Sequence, residues 1–212
     1  MKFEIISVIL LAGFVGLSFL IFSNTPEVTK WDASVFHMIN NPHDEVLNKI
    51  MVGLTTYGRE VVWIGVIALL FLFGKKDGRK AAVLLTIVFL ILIPLGTILK
   101  DEIDRPRPVP VSSDKLLTQT DSDSSFPSGH ATIVSAGAMV LLSRFNKGRQ
   151  MIFSTILGIE ALLVSYSRIY VGDHYPLDVI GGILLGTGVA CLVISFSKYL
   201  KPIFSRIDSM KR

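Results

Sequence analysis

Charged residues make up only 18% of this 212-residue chain, against 50% hydrophobic ones. That balance is too poor in charge for an ordinary soluble domain. Cysteine occurs once, so no internal disulfide can form, and Cys191, inside an apolar run, reads as a small buried residue. No internal repeat is visible, so an inverted-repeat transporter has no direct support. The first apolar run follows Lys2 as a signal peptide would, but "FLIFSNTPEV" lacks a small-x-small cleavage site. It is expected to stay as a membrane helix. Acidic residues near the later motifs alternate with basic ones and make no convincing metal cage.

Long hydrophobic runs fill the chain instead. A bilayer-spanning helix takes about 20 mostly apolar residues. Six stretches qualify, roughly 4–22, 51–74, 81–99, 130–146, 151–167 and 178–197. The expectation is an all-α polytopic membrane protein, a six-transmembrane-helix bundle that occupies 1–212 as one domain. Both ends then lie on one side of the membrane. That side collects Lys2, Lys75, Lys76, Arg79, Lys80, Arg144, Lys147, Arg149, Lys198, Lys201, Arg206, Lys211 and Arg212. Its only acids are Glu4, Asp77 and Asp208. The positive-inside rule makes this side, with both termini, cytoplasmic. The same skew accounts for the net charge of +4, so basicity is no sign of a nucleic-acid partner.

The connections are unequal. "KKDGRK" and "RFNKGRQ" are short basic turns. On the opposite face, 23–50 reads as a polar linker with a surface helix, 100–129 as a long loop and 168–177 as a short one. "SSDKLLTQTDSDSS" in the long loop reads as a solvated tether, with a substrate lid as the alternative. Loops on a rigid scaffold carry chemistry more often than minimal turns do, and three clusters lie on this face. "KDEIDRPRP" holds Lys100 and Arg107; alone it could be a cationic anchor among headgroups. "FPSGH" leads through Pro127, Ser128 and Gly129 into the fourth run. The free amides of a helix start bind anions, although alone this is an ordinary helix start. "SRIYVGDHYPLD" contains Ser167, Arg168, His174 and Asp178, with Pro176 opening the sixth run and Asp178 in its first turn.

The clusters say more together. Lys100 ends the third run, His130 starts the fourth, Arg168 follows the fifth and Asp178 starts the sixth. An alternating bundle brings all four to the same outer face. Cations and free amides suit a phosphate. Two histidines suit nucleophilic attack with proton transfer, and a carboxylate can orient an imidazole. A transporter or flippase with a basic headgroup pocket, or an inactive scaffold, needs the cations only. The two histidines with an acid favour an enzyme.

Lys-x6-Arg-Pro (Lys100 to Pro108), Pro-Ser-Gly-His (127–130) and Ser-Arg-x5-His-x3-Asp (167–178) resemble the three-part signature of the type 2 phosphatidic acid phosphatases. The resemblance covers a core of about 81–198. It is strongest to small bacterial members acting on phosphatidylglycerol phosphate or undecaprenyl pyrophosphate; soluble vanadium haloperoxidases share the signature but not six spans. It implies a lipid phosphate or pyrophosphate as substrate, phosphatidic acid included, in a setting of membrane lipids. No cofactor, metal or obligate protein partner is implied. His174 would be the nucleophile and carry a phosphohistidine, with Asp178 on its other ring nitrogen. His130 would donate a proton to the leaving oxygen and then accept one from water. Lys100, Arg107, Arg168, Ser128 and the Gly129 amide would bind phosphate oxygens. The basic skew puts this chemistry on the extracytoplasmic side of the cell membrane.

Other residues stand outside these roles. Glu160, within the fifth run, suggests function because an ionisable group there is costly; a structural pair with Arg59 or a backbone-bonded polar contact is the alternative, and the readings stay open. Arg105 reads as a surface cation, or as a ligand for a second phosphate. His37 and His43 are expected to face solvent, and Tyr170 and Tyr175 to join an interfacial aromatic belt.

Overall fold

The computed structural model describes residues 2–40, 44–109, 117–118 and 122–209. Every regular element among them is helical. Helix α1 (Lys2–Phe22) is apolar on every side. Pro26 opens α2 (Pro26–Ile39) in the first turn, where its missing N–H costs nothing. Asp44 caps α3 (Glu45–Tyr57), its Oδ1 accepting from the amides of Val46 at 2.7 Å and Leu47 at 3.0 Å. Helix α4 (Glu60–Phe73) follows after a 53° bend.

The stretch 51–74, expected as one span, is therefore broken, and 23–50 holds α2 and the start of α3 rather than a linker with one surface helix. Gly58 marks the physical reason. A Cβ there would lie 2.3 Å from the Val164 side chain, so the chain passes the helix carrying Val164 too closely for any side chain.

Helix α5 (Lys75–Ile103) runs through Pro94 and ends at Asp104, which adopts a left-handed conformation. Then come α6 (Gly129–Arg144), α7 (Gly148–Tyr170) and α8 (Pro176–Phe196). A short 3-10 turn, Ser197–Leu200, leads into α9 (Lys201–Ser209).

Among the described residues, four helical stretches are long and apolar enough to cross a membrane: α1, α5, α7 and Pro176–Ser209; the bent α3–α4 pair makes a fifth if counted as one. The 16-residue α6 is about 24 Å long and falls short by that measure. It is instead enclosed: α5, α7 and α8 all pack on it, and ten of its residues are buried. Backbones touch where α8 meets α6, because a Cβ on Gly186 would lie 2.1 Å from the Thr132 carbonyl oxygen. Large apolar side chains such as Val8, Phe19, Ile64, Leu72, Leu90 and Ile93 point outward. A surface of that kind suits hydrocarbon rather than water. Cys191 is buried, as its place in an apolar run suggests.

This packing gathers the last turns of α5 and α7 and the first turns of α6 and α8 at one end of the bundle, where the polar residues meet.

Candidate active site

After α7 the chain folds back on itself: the amides of Asp173 and His174 both donate to the Arg168 carbonyl, at 3.1 and 3.2 Å. The turn buries His174, which is 1% exposed. Asp178 stands in the first turn of α8, its Oδ2 accepting from the Tyr175 amide at 2.8 Å. The same oxygen lies 3.6 Å from His174 Nδ1, long for a hydrogen bond. Ser125 fills the gap, its hydroxyl donating to Asp178 Oδ2 at 2.5 Å and lying 3.4 Å from His174 Nδ1. On the ring's far side, Nε2 is 3.4 Å from Arg107 Nη1. One ring nitrogen thus faces an acid and a hydroxyl, and the other faces a cation. Burial, aided by Arg168 and Arg107, pulls the imidazole down to about 4 although Asp178 works the other way. His174 is neutral near pH 7.

Asp178 is held from behind. Arg105 Nη1 meets its Oδ1 at 2.5 Å, and Arg105 Nη2 meets Asp32 Oδ2 at 2.6 Å. Asp32, on α2, also accepts the Leu177 amide at 2.9 Å. Both carboxylates are fully buried, and the guanidinium lies 4.5 Å above the Tyr175 ring. Burial works against the Arg105 charge, but the two carboxylates outweigh it and hold the guanidinium above its ordinary range. Burial also lifts the Asp32 carboxyl above its ordinary value, despite Arg105. The reading of Arg105 as a surface cation is corrected here, and its guanidinium is already committed to two acids. Tyr170 and Tyr175 are corrected too: Tyr170 is buried with its hydroxyl on Asn48 at 2.8 Å, and Tyr175 lies under Arg105.

The cations form a second arc. Lys100 Nζ donates to Asp123 Oδ2 at 2.6 Å, and Arg107 donates to Asp123 Oδ1 and, at 2.9 Å, to its carbonyl. Burial raises the Asp123 carboxyl, but these cations win and hold it below its usual range. Arg168 donates to Thr55 Oγ1 at 2.5 Å and pairs with Asp173 at 3.0 Å. The Thr55 carbonyl lies 3.1 Å from His130 Nε2. A carbonyl only accepts, so Nε2 carries the ring hydrogen and Nδ1 is left as the acceptor. Nδ1 faces Arg59 Nη1 at 3.5 Å. The Ser128 amide donates to the Asp178 carbonyl at 3.0 Å, which ties the start of α6 to that of α8. The buried Ser128 hydroxyl has no hydrogen-bond partner among the described residues.

All eight residues singled out in the sequence, Lys100, Arg107, Ser128, Gly129, His130, Arg168, His174 and Asp178, stand at this one end. Beside them runs a cavity of about 310 Å³ between α4, α5 and α6. Arg59, Lys100 and Gly129 line its polar part, and Trp63, Leu92 and Ile93 its apolar part. Sequence reasoning missed Asp32, Thr55, Asp123 and Ser125, and gave Arg59 no place here. Asp123 and Ser125 sit in the stretch read as a solvated tether. Its described residues are attached instead: Thr118 donates to Asp173 at 3.0 Å, and Ser125 touches both His174 and Asp178. Residues 110–116 and 119–121 of that loop, and His43, lie outside the described residues. His37 is exposed. Arg59 pairs with its neighbour Glu60, not with Glu160. Both Glu160 carboxylate oxygens are buried beside Trp63. Among the described residues no group of three His, Cys, Asp or Glu is placed to hold a metal ion.

Comparison with known proteins gives a family and several relatives. The family model described as the PAP2 superfamily matches residues 79–202. An undecaprenyl-diphosphatase of Sulfolobus acidocaldarius is 46% identical over 166 residues, 77% of each chain. Phosphatidylglycerophosphatase B of Bacillus subtilis is 32% identical over 73% of this chain and 77% of its own. The crystal structure of a transmembrane PAP2-type phosphatidylglycerolphosphate phosphatase from Bacillus subtilis superposes with a TM-score of 0.73. It is 27% identical, and the match covers 92% of this chain and 96% of that one.

Proposed function

Because the chain belongs to the PAP2 superfamily, we propose that it works as a membrane phosphatase on a lipid phosphomonoester or pyrophosphate, through a phosphohistidine on His174. That it is a lipid phosphatase follows from the named phosphatases among its relatives. The finer reading is carried by the two unlike faces of the His174 ring. Asp178 and Ser125 occupy the Nδ1 side and favour a hydrogen there, leaving the Nε2 lone pair for phosphorus. Arg107, 3.4 Å from Nε2, stands beside the nitrogen that would attack, within reach of the oxygens of a phosphoryl group there.

In the first step the Nε2–P bond forms and the P–O bond to the lipid breaks. Lys100, Arg107, Arg168, the Ser128 hydroxyl and the Gly129 amide hold the three remaining oxygens as charge spreads over them. For an alkoxide leaving group, His130 supplies the proton. In the second step water attacks phosphorus, the N–P bond breaks, and His130 takes the proton from water. The fixed cations supply the charge that a divalent ion would otherwise bring. The lipid tail lies along the apolar wall of the cavity beside Lys100 and Gly129.

The chain crosses the membrane six times as one domain, the α3–α4 pair counting as a bent span and the enclosed α6 as a short one. Both termini are cytoplasmic and the site opens outward, on the strength of the basic skew.

Phosphate release from lipid phosphates by the full chain in detergent tests this reading. We expect turnover in excess EDTA, inhibition by vanadate, and none with His174→Ala. A loss in EDTA restored by Mg²⁺ would overturn the metal-free chemistry, and turnover by His174→Ala would overturn the nucleophile.

A further inference from the structure

We propose that Arg59 is a specificity-determining residue that binds the second, lipid-side phosphate of a diphosphate substrate. The inference rests on the phosphatase reading above and names the substrate class that this site favours.

Arg59 belongs to none of the three motifs. It stands at the α3–α4 break, where the Gly58 approach to α7 aims the first turn of α4 at the site. Glu60 takes its Nε and Nη2. Nη1 is left pointing at His130 Nδ1, at 3.5 Å, and lies 3.5 Å from where a Cβ of Gly129 would be. Arg59 shares the cavity with Lys100, and Trp63, one helical turn further along α4, begins its apolar wall. From the attacked phosphorus the order is therefore His174 with Arg107, then His130, then Arg59, then the apolar wall. A group bonded to the leaving oxygen and placed ahead of the lipid tail meets this guanidinium.

The charge there fits one leaving group and not the other. An alkoxide must be protonated as it leaves, yet Arg59 sets a cation against the one His130 nitrogen free to carry that proton. A departing phosphate keeps its own charge near neutral pH, since the second ionisation of a phosphate monoester lies near about 6. It needs a cation more than a proton, and with Nε and Nη2 on Glu60 the Arg59 Nη1 is the donor turned toward its oxygens. In balance, His174 Nε2 bonds to the terminal phosphorus and the bridging P–O bond breaks. The electron pair stays on the bridging oxygen of the lipid monophosphate, to which Arg59 Nη1 donates. Water then cleaves the N–P bond and releases inorganic phosphate. In this sequence His130 is needed chiefly as the base of the second step, and an Nδ1 without hydrogen suits that task.

The experiment compares farnesyl diphosphate with farnesyl monophosphate on the full chain in detergent. Arg59→Met should lower the diphosphate-to-monophosphate ratio of kcat/KM by about 10- to 100-fold, the range for losing a charge-assisted hydrogen-bonding group. Arg59→Lys should restore part of that ratio. A ratio that does not move with Arg59→Met overturns the assignment. Wild-type protein gives an independent reading should Arg59→Met not fold. Methylenediphosphonate should inhibit more strongly than methylphosphonate, and equal inhibition also overturns it. Failure of the wild type to release phosphate from either lipid would instead overturn the phosphatase reading itself.

Discussion

His174 and His130 are chemically alike until their neighbours are counted. His174 has the Asp178 carboxylate on one nitrogen and a cation on the other; His130 has a backbone carbonyl and a cation. Only the first arrangement both orients the ring and compensates positive charge as attack proceeds. His174→Ala should therefore abolish any covalent phosphoenzyme. His130→Ala should still form one with p-nitrophenyl phosphate, whose leaving group needs little proton help, and hold it longer because water lacks its base. Acid-labile, base-stable radiolabel on His174→Ala but none on His130→Ala would reverse the two roles. The depressed His174 titration makes a pH prediction with a definite sign. The ring is a nucleophile only when unprotonated, so activity is present above its folded value and lost as pH falls through it. The acid limb of kcat/KM should lie at about 4 instead of near the ordinary 6.5. A limb at the ordinary value would mean that burial does not control this group.

Arg105 joins two buried carboxylates that carry like charge. Removing it leaves both uncompensated, and breaking a buried pair costs about 3–5 kcal/mol. Arg105→Met should lower the melting temperature in detergent and cut kcat, since Asp178 then loses its anchor. Adding Asp32→Asn to that variant should recover part of the stability. No recovery in the double variant would mean that Asp32 and Arg105 act separately.

Among the elements, the α6–α8 contact sets the site's dimensions. Helix α6 carries Ser128's neighbour Gly129 and His130, α8 carries Asp178, and Gly186 lets the two backbones meet. Gly186→Ala puts a methyl group 2.1 Å from the Thr132 carbonyl and must push the helices apart. Overpacking of this sort costs about 1–3 kcal/mol, or a fall of several degrees in melting temperature, together with lost activity. Gly16→Ala on α1, where nothing lies within 4 Å, is the control and should change neither. Equal melting of both variants would show that α6 and α8 are not packed so closely.

For the molecule as a whole, the basic skew argues for an outward site. Single cysteines placed in the 109–126 loop on a Cys191→Ala background should react with an impermeant reagent on intact cells. Labelling that requires lysis would put the site inside. Cys191 is buried, so its removal leaves the loop cysteine as the reporter.

The gathering of the candidate site residues at one end was legible in the chain because they are local to the ends of apolar runs. Lys100 and Arg107, or His174 and Asp178, lie within one or two helical turns of each other, and the runs' lengths alone put these ends on one face. Helical content followed from the same runs, since a backbone out of water must bond to itself. Other features were not legible, because they are pairings across the fold. Arg105 reaches Asp32 over 73 positions, and Thr55 reaches His130 over 75. Nothing in local composition says which buried acid a given arginine will neutralise. The break at Gly58 and Arg59 had a local sign, the adjacent charges Arg59 and Glu60 inside an otherwise uncharged run, but the close approach to Val164 on another helix had none. Apolar length and motif spacing are properties of the chain. Charge compensation, close backbone approach and the aim of Arg59 exist only once the helices pack.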